Sequence, residues 1–111
     1  MINENLFPAA ASYFDLMEGS DKAEVLTVFD PNAEVIDDGH SYTGHDEILG
    51  WLTGPASEFT ITKTLISSSR SAQGIIANIR VDGNFPGSPV DLRHEFIQGS
   101  TGLIGSLTIT V

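Results

Sequence analysis

Ile75-Ile76-Ala77-Asn78-Ile79-Arg80-Val81-Asp82, followed after a Pro-Gly turn by Val90-Asp91-Leu92-Arg93-His94-Glu95-Phe96-Ile97, alternates its side chains with a period of two. In the first segment Ile75, Ala77, Ile79 and Val81 lie opposite Ile76, Asn78, Arg80 and Asp82. The second sets Val90, Leu92, His94 and Phe96 against Asp91, Arg93, Glu95 and Ile97. Successive residues of a strand point to opposite faces, so each segment has one apolar and one largely polar side. Antiparallel strands with one face on a core read this way. His94 falls on the apolar side.

Outward from this pair, further strands are expected at about 58–67 and 103–111, with the quoted pair spanning about 72–82 and 90–98. Asp82-Gly83-Asn84, Pro86-Gly87 and Gly99-Ser100-Thr101-Gly102 are the turn signals between the last three. Upstream the period changes. Over about 6–17, Leu6, Ala10, Tyr13 and Met17 form a helical stripe, with Pro8 in the first turn and Gly19 beyond the end. Ser20 or Asp21 can cap a second helix, Asp21 with Glu24 resembling a capping box, and Val25, Leu26, Val28 and Phe29 supply its buried side. Thr43 and Asp46 open a third, with Ile48, Leu49, Trp51 and Leu52 on its apolar face and Gly54-Pro55 at its end. Between the second and third helices, after a turn at Asp30-Pro31-Asn32, Ala33-Glu34-Val35-Ile36-Asp37-Asp38 reads as a short strand. Asp37 shares its face with Ala33 and Val35, which sets a carboxylate beside apolar surface.

Helices first and strands afterwards imply an α+β fold in which a curved sheet wraps over helices and encloses a cavity. The chain has 111 residues, 41% of them hydrophobic, enough for one domain spanning 1–111 with a single core. Five Lys plus Arg against fifteen Asp plus Glu leave a net charge of −10, which repels phosphate backbones and anionic membrane surfaces. Nucleic acid and membrane are therefore not expected partners. The absence of cysteine excludes disulfides, thiolate nucleophiles and cysteine-ligated metals. Met1-Ile2-Asn3-Glu4-Asn5 lacks the features of a secretion signal, and a cytoplasmic location is expected.

The run Ala11-Ser12-Tyr13-Phe14-Asp15-Leu16-Met17, then Asp21, the apolar segment to Phe29 and the strand Ala33 to Asp37, resembles the N-terminal half of the nuclear transport factor 2-like superfamily. The likeness is to its ketosteroid isomerases and its polyketide cyclase-like group. It covers nearly the whole chain in element order, with sharp agreement from about Tyr13 to Trp51. It implies a cone-shaped, cystatin-like fold: three N-terminal helices packed on a strongly curved, mixed but mainly antiparallel sheet. In the isomerase pattern a tyrosine on the first helix donates to the developing oxyanion and an aspartate at the end of the first strand moves the proton. Tyr13 and Asp37 fall on those positions, and His94 falls where the isomerases carry a protonated aspartate. The resemblance thus implies Asp37, Tyr13 and His94 as a catalytic set, with no cofactor and no metal. Arg80-Val81-Asp82 is similar to the arginine and aspartate pair of epoxide hydrolases in the superfamily, although here both lie on the polar face.

Each of these residues also has a plain structural reading. Asp37 can be a solvated turn residue, Tyr13 a core aromatic, and His94 a core histidine with satisfied ring nitrogens. His40 and His45 sit in or beside the loop after Asp37, and their spacing matches no metal-ligand pattern. Phe29, Trp51, Ile79, Leu92 and Phe96 are expected to wall the cavity and contact a small apolar molecule. Two functions follow. One is an isomerase or cyclase that abstracts a proton next to the carbonyl of an apolar substrate. The other is a non-catalytic module that uses the cavity for a hydrophobic ligand, or the sheet surface for a protein. The outer sheet face, with Thr60, Thr62, Thr64, Asn78, Arg80, Arg93 and Thr108, is flat and polar and suits a homodimer.

Overall fold

The structure, a computed structural model, describes residues 6–71 and 74–111. Among the described residues two helices, two short 3-10 segments and six strands follow one another: α1 (Pro8–Met17), a 3-10 turn (Lys22–Val28), β1 (Phe29–Asp37), β2 (His40–Thr43), α2 (Gly44–Thr53), a 3-10 turn (Pro55–Ser57), β3 (Ile61–Arg70), β4 (Ile75–Gly83), β5 (Val90–Gln98) and β6 (Ile104–Thr110). The strands form one sheet in the order β2-β1-β6-β5-β4-β3. Every neighbouring pair is antiparallel except β1 and β6, which run parallel, so the sheet is mixed as expected.

Pro8 opens α1, where its missing N–H leaves no bond unmade, and Ala9, Ala10, Tyr13 and Met17 turn inward. Lys22 closes the far end. Its Nζ donates to the carbonyls of Met17 at 2.5 Å and Gly19 at 3.0 Å, pairing groups a helix end leaves open. The second helix differs from expectation in kind. Asp21 does cap it, accepting from the Ala23 N–H at 3.1 Å, but the segment winds as 3-10. Val25, Thr27 and Val28 crowd three β-branched side chains into its last four positions, which weakens the case for an α-helix.

β1 is longer than the sequence suggests, because Pro31 and Asn32 make an irregularity inside the strand instead of a turn before it. Proline cannot donate to a ladder, and the register between β1 and β6 shifts across it. The loop expected after Asp37 is a hairpin. Asp38 (φ 53°) and Gly39 (φ 78°) take the two left-handed positions of a tight turn, and Asp37 pairs with His40. The cap of α2 is also rearranged: the Thr43 N–H donates to Glu47 Oε1 at 2.8 Å, while the Thr43 side chain makes no cap bond.

The start expected for the strand at 72–82 falls partly outside the described residues, and β4 begins at Ile75. β5 matches its expected bounds, and β3 starts and ends three residues later than expected. Tyr13, Phe29, Val35, Ile48, Trp51, Leu52, Phe96, Ile104 and Leu107 form the packed interior between the helices and the concave sheet face. Tyr13 meets Phe14, Phe29 and Phe96 edge to face, at centroid separations of 5.2, 6.0 and 5.6 Å. Aromatic rings favour that geometry.

Candidate functional site

Sheet register places the polar groups. Asp37 on β1 is paired with Ile109 on β6, and Ile109 with His94 on β5, so Asp37 and His94 flank one isoleucine in a single row. Strands lie about 4.8 Å apart, which puts the two Cα atoms roughly 10 Å from each other. Both residues line one hollow. Two residues along β5, Leu92 pairs with Ile79, and beyond it Val90 and Val81 continue the ladder to Lys63 on β3.

These residues enclose a cavity of about 220 Å³ between the sheet and the helices. Tyr13 and Met17 of α1, Trp51 of α2 and the segment around Pro55 to Phe59 complete its wall. The sequence-predicted set of Asp37, Tyr13 and His94 is brought to this one hollow, together with Trp51 and Leu92. Phe29, Ile79 and Phe96 are not part of its wall. Phe29 and Phe96 are almost fully buried in the aromatic layer beneath, and Ile79 faces a separate depression beside α1. The reason is depth: alternation identifies the inward face of a strand but not how far along it the core ends and the hollow begins.

Asp37 is half-buried, and its Oδ2 accepts a hydrogen bond from Trp51 Nε1 at 3.0 Å. The indole itself is buried against Tyr42. This bond fixes the carboxylate against an apolar wall and leaves its other oxygen free of any bond to a described residue.

Tyr13 is 1% exposed, and no described residue hydrogen-bonds its hydroxyl. Burial, with the nearby Asp37 charge as a smaller effect, pushes its ionisation far above the ordinary phenol range. It is therefore a hydrogen-bond donor at any working pH.

His94 is 2% exposed and stacks on Phe96 at a centroid distance of 6.2 Å. Burial, reinforced by the positive charge of Lys63 and opposed weakly by the Leu92 backbone, lowers its pKa to about 3. The ring is thus neutral above that pH. Its Nδ1 has no hydrogen-bond partner among the described residues, an unusual state for a buried polar atom.

Lys63 escaped the sequence reading. It reaches the cavity from β3, half-buried, with Nζ 5.6 Å from the centroid of the Tyr13 ring. No carboxylate among the described residues forms an ion pair with it. Burial lowers its pKa to about 8, assisted by Lys22 and opposed by Asp37 and Glu18. The signal was present: Ile61, Lys63 and Leu65 share one side of β3, opposite Thr62 and Thr64, so a lone lysine sits on an apolar face.

The remaining polar candidates lie elsewhere. His40 is exposed and its Nδ1 is 3.1 Å from the Asp38 carbonyl oxygen, while His45 Nε2 is 2.9 Å from the carbonyl oxygen of Phe29 and ties α2 to β1. Arg80 pairs with Asp91 at 2.9 Å on the exposed face, away from Asp82 as a partner. Among the described residues no group of three or more His, Asp or Glu could hold a metal ion. No described helix is long and apolar enough to cross a membrane.

No protein-family model matches the sequence, and no curated protein matches it significantly. Solved structures do match. A candidate polyketide cyclase from Sinorhizobium meliloti is 28% identical, with a TM-score of 0.84 over 92% of this chain and 93% of that one. A Catenulispora acidiphila protein with a ketosteroid isomerase-like fold, in complex with trimethylamine, is 15% identical, with a TM-score of 0.79 over 96% of this chain and 86% of that one. A Mycobacterium tuberculosis protein in complex with estradiol-17β-hemisuccinate is 14% identical, with a TM-score of 0.77 over 93% of this chain and 90% of that one. At these last two identities the likeness is one of fold alone.

Proposed function

Because the chain has the fold of the nuclear transport factor 2-like superfamily, shared with polyketide cyclase-like and ketosteroid isomerase-like proteins, we propose that its cavity binds a small apolar carbonyl compound and that Asp37 moves a proton next to that carbonyl. One observation carries the reading: the Asp37 carboxylate lines an apolar hollow, oriented by Trp51 Nε1 at 3.0 Å, with Tyr13, whose hydroxyl no described residue hydrogen-bonds, in the same wall. In this reaction the free carboxylate oxygen takes the proton from the carbon beside the carbonyl. The C–H electron pair moves into the new C=C bond, and the carbonyl electrons move to oxygen. Tyr13 donates to that oxygen, and the Asp37 acid then returns the proton to carbon. His94 is a neutral partner whose Nδ1 can pair with a ligand atom. A general base of this kind contributes about 10²–10⁴-fold. Deuterium exchange from solvent into a panel of enones and β-keto esters tests the proposal. Asp37→Asn is expected to lower the exchange rate by at least about 100-fold, and equal rates in the two proteins would overturn it.

The runner-up is a binding module without chemistry. The Mycobacterium tuberculosis protein in complex with estradiol-17β-hemisuccinate supports it, since a protein of the same fold there binds a small molecule. The cavity here, about 220 Å³, is below the range of roughly 300–1,000 Å³ usual for ligand clefts, and so it suits a molecule smaller than a steroid. Tight ligand binding with no exchange would select this reading. The proposal also includes a homodimer through the polar sheet face around Thr62, Thr64, Arg80 and Arg93, all exposed in the single chain. Sedimentation equilibrium that returns a monomer would remove that part.

A further inference from the structure

Lys63 takes no part in the proton transfer proposed above, and its surroundings suit a different chemistry. A lysine is a nucleophile only as the free amine, and enzymes obtain that form by desolvating the side chain in an apolar pocket or by setting another cation beside it. Both arrangements are present. Lys63 lines the cavity together with Phe59, Ile61 and Val81, and the only other lysine of the chain, Lys22, shares with it the wall of a second depression. The groups that face Lys63 are Lys22 from the 3-10 turn after α1, Glu18 from the end of α1, Asp37 from β1, and neutral His94 from β5. Tyr13 of α1 presents its ring at 5.6 Å. The two carboxylates oppose the effect and desolvation outweighs them. Lys63 makes no ion pair with a described residue, so no described acid masks the amine.

The geometry points to Lys63 as an amine nucleophile that forms an iminium with an apolar aldehyde or ketone held in the cavity. The Nζ lone pair adds to the carbonyl carbon, and a proton passes from the nitrogen to the former carbonyl oxygen to give a neutral carbinolamine. A second proton, taken from solvent, lets that hydroxyl leave as water while the nitrogen lone pair forms C=N, which leaves a protonated imine. The step needs no oxidant or reductant. The cationic C=N group is an electron sink for breaking a bond at the neighbouring carbon, so apolar aldehydes and ketones with such a bond beside the carbonyl are the substrate class. This inference rests on the same cavity admitting a carbonyl compound, and does not require Asp37 to act as a base.

Acetylacetone is the probe, because its adduct with an amine tautomerises to an enaminone that absorbs in the near ultraviolet, and tryptic mapping by mass locates the adduct. At pH 7 an amine of pKa about 8 is free roughly 300 times more often than an ordinary lysine. Part of that advantage is lost to lower intrinsic nucleophilicity, so labelling of Lys63 at least about tenfold faster than Lys22 is expected. The labelling rate should rise with pH to a midpoint near 8, and Lys63→Arg should abolish the fast phase. Labelling of the folded wild-type protein spread over Lys22 and the amino terminus as in urea, or no adduct on Lys63, would overturn the inference without recourse to any variant. The two readouts in the wild-type protein separate the two proposals: labelling of Lys63 without solvent exchange would remove the proton transfer alone, whereas exchange without labelling would sink the lysine chemistry alone.

Discussion

Replacing Lys63 by Met should make the protein more stable at neutral pH, by an amount that shrinks as the solution becomes alkaline. Met retains most of the apolar stem that packs along β3 and removes the ammonium. Lys63 titrates near 8 in the folded chain and near 10.5 when unfolded. Between those values the unfolded chain binds more protons, so stability rises with pH. At pH 7 the folded chain keeps the ammonium charged in a poor solvent. The penalty is 10.5 − 8 = 2.5 pH units, or about 3 kcal/mol at 1.36 kcal/mol per unit. Solvent reaches part of this half-buried side chain, so about 2–3 kcal/mol is the expected gain. Urea unfolding of both proteins at pH 7, 8, 9 and 10 measures it, and titrating groups distant from Lys63 cancel in the difference. The gap between the two should close by about 2 kcal/mol or more between pH 7 and pH 10. A gap that does not change with pH would refute the desolvation argument, and with it the premise of the lysine chemistry.

Two further outcomes are expected. His94 has its folded pKa depressed to about 3, so the unfolded chain binds the extra proton between about 6.5 and 3, and stability is lost as pH falls through that window. His94→Leu should remove up to about 1.4 kcal/mol per pH unit of that slope and leave the curve above pH 6.5 unchanged in shape, read by urea unfolding from pH 7 to 4. Gly39 sits at φ 78° in the β1–β2 turn, and a Cβ added there meets nothing within 4 Å. Gly39→Ala should therefore cost only the left-handed backbone penalty of about 1–2 kcal/mol, and a larger loss would point to contacts the turn does not show.

The strands of the second half were legible because each alternates cleanly between an apolar and a polar side, as Val90 to Phe96 does. α1 was legible from the stripe through Ala10, Tyr13 and Met17. The hairpin after Asp37 was missed although Asp38-Gly39 is a strong turn pair, because β2 is only four residues long and its alternation is short. The 3-10 segment was read as a helix since its buried positions, Val25 and Val28, fit either winding.

At the site, local pattern found the faces of Asp37 and His94 but not their distance. That depends on the parallel pairing of β1 with β6, a contact between residues about seventy positions apart. Trp51 was read as a wall, and its role as donor to Asp37 depends on how α2 lies over β1. Lys63 was legible in principle, because a charged residue flanked by Ile61 and Leu65 on one face should draw notice.

Proton transfer by Asp37 requires a carbonyl ligand in the hollow beside Trp51. Trp51 is the only tryptophan of the chain, and its indole N–H is bonded to Asp37 in the cavity wall, so one resonance in a ¹⁵N-correlated spectrum reports on the site. Addition of cyclohexenone should move that resonance saturably, and the shift should be lost when Leu92→Trp fills the hollow from the opposite wall, with the new indole peak assigned separately. An indole signal that stays fixed while other residues respond would place the ligand elsewhere and leave Asp37 without a substrate.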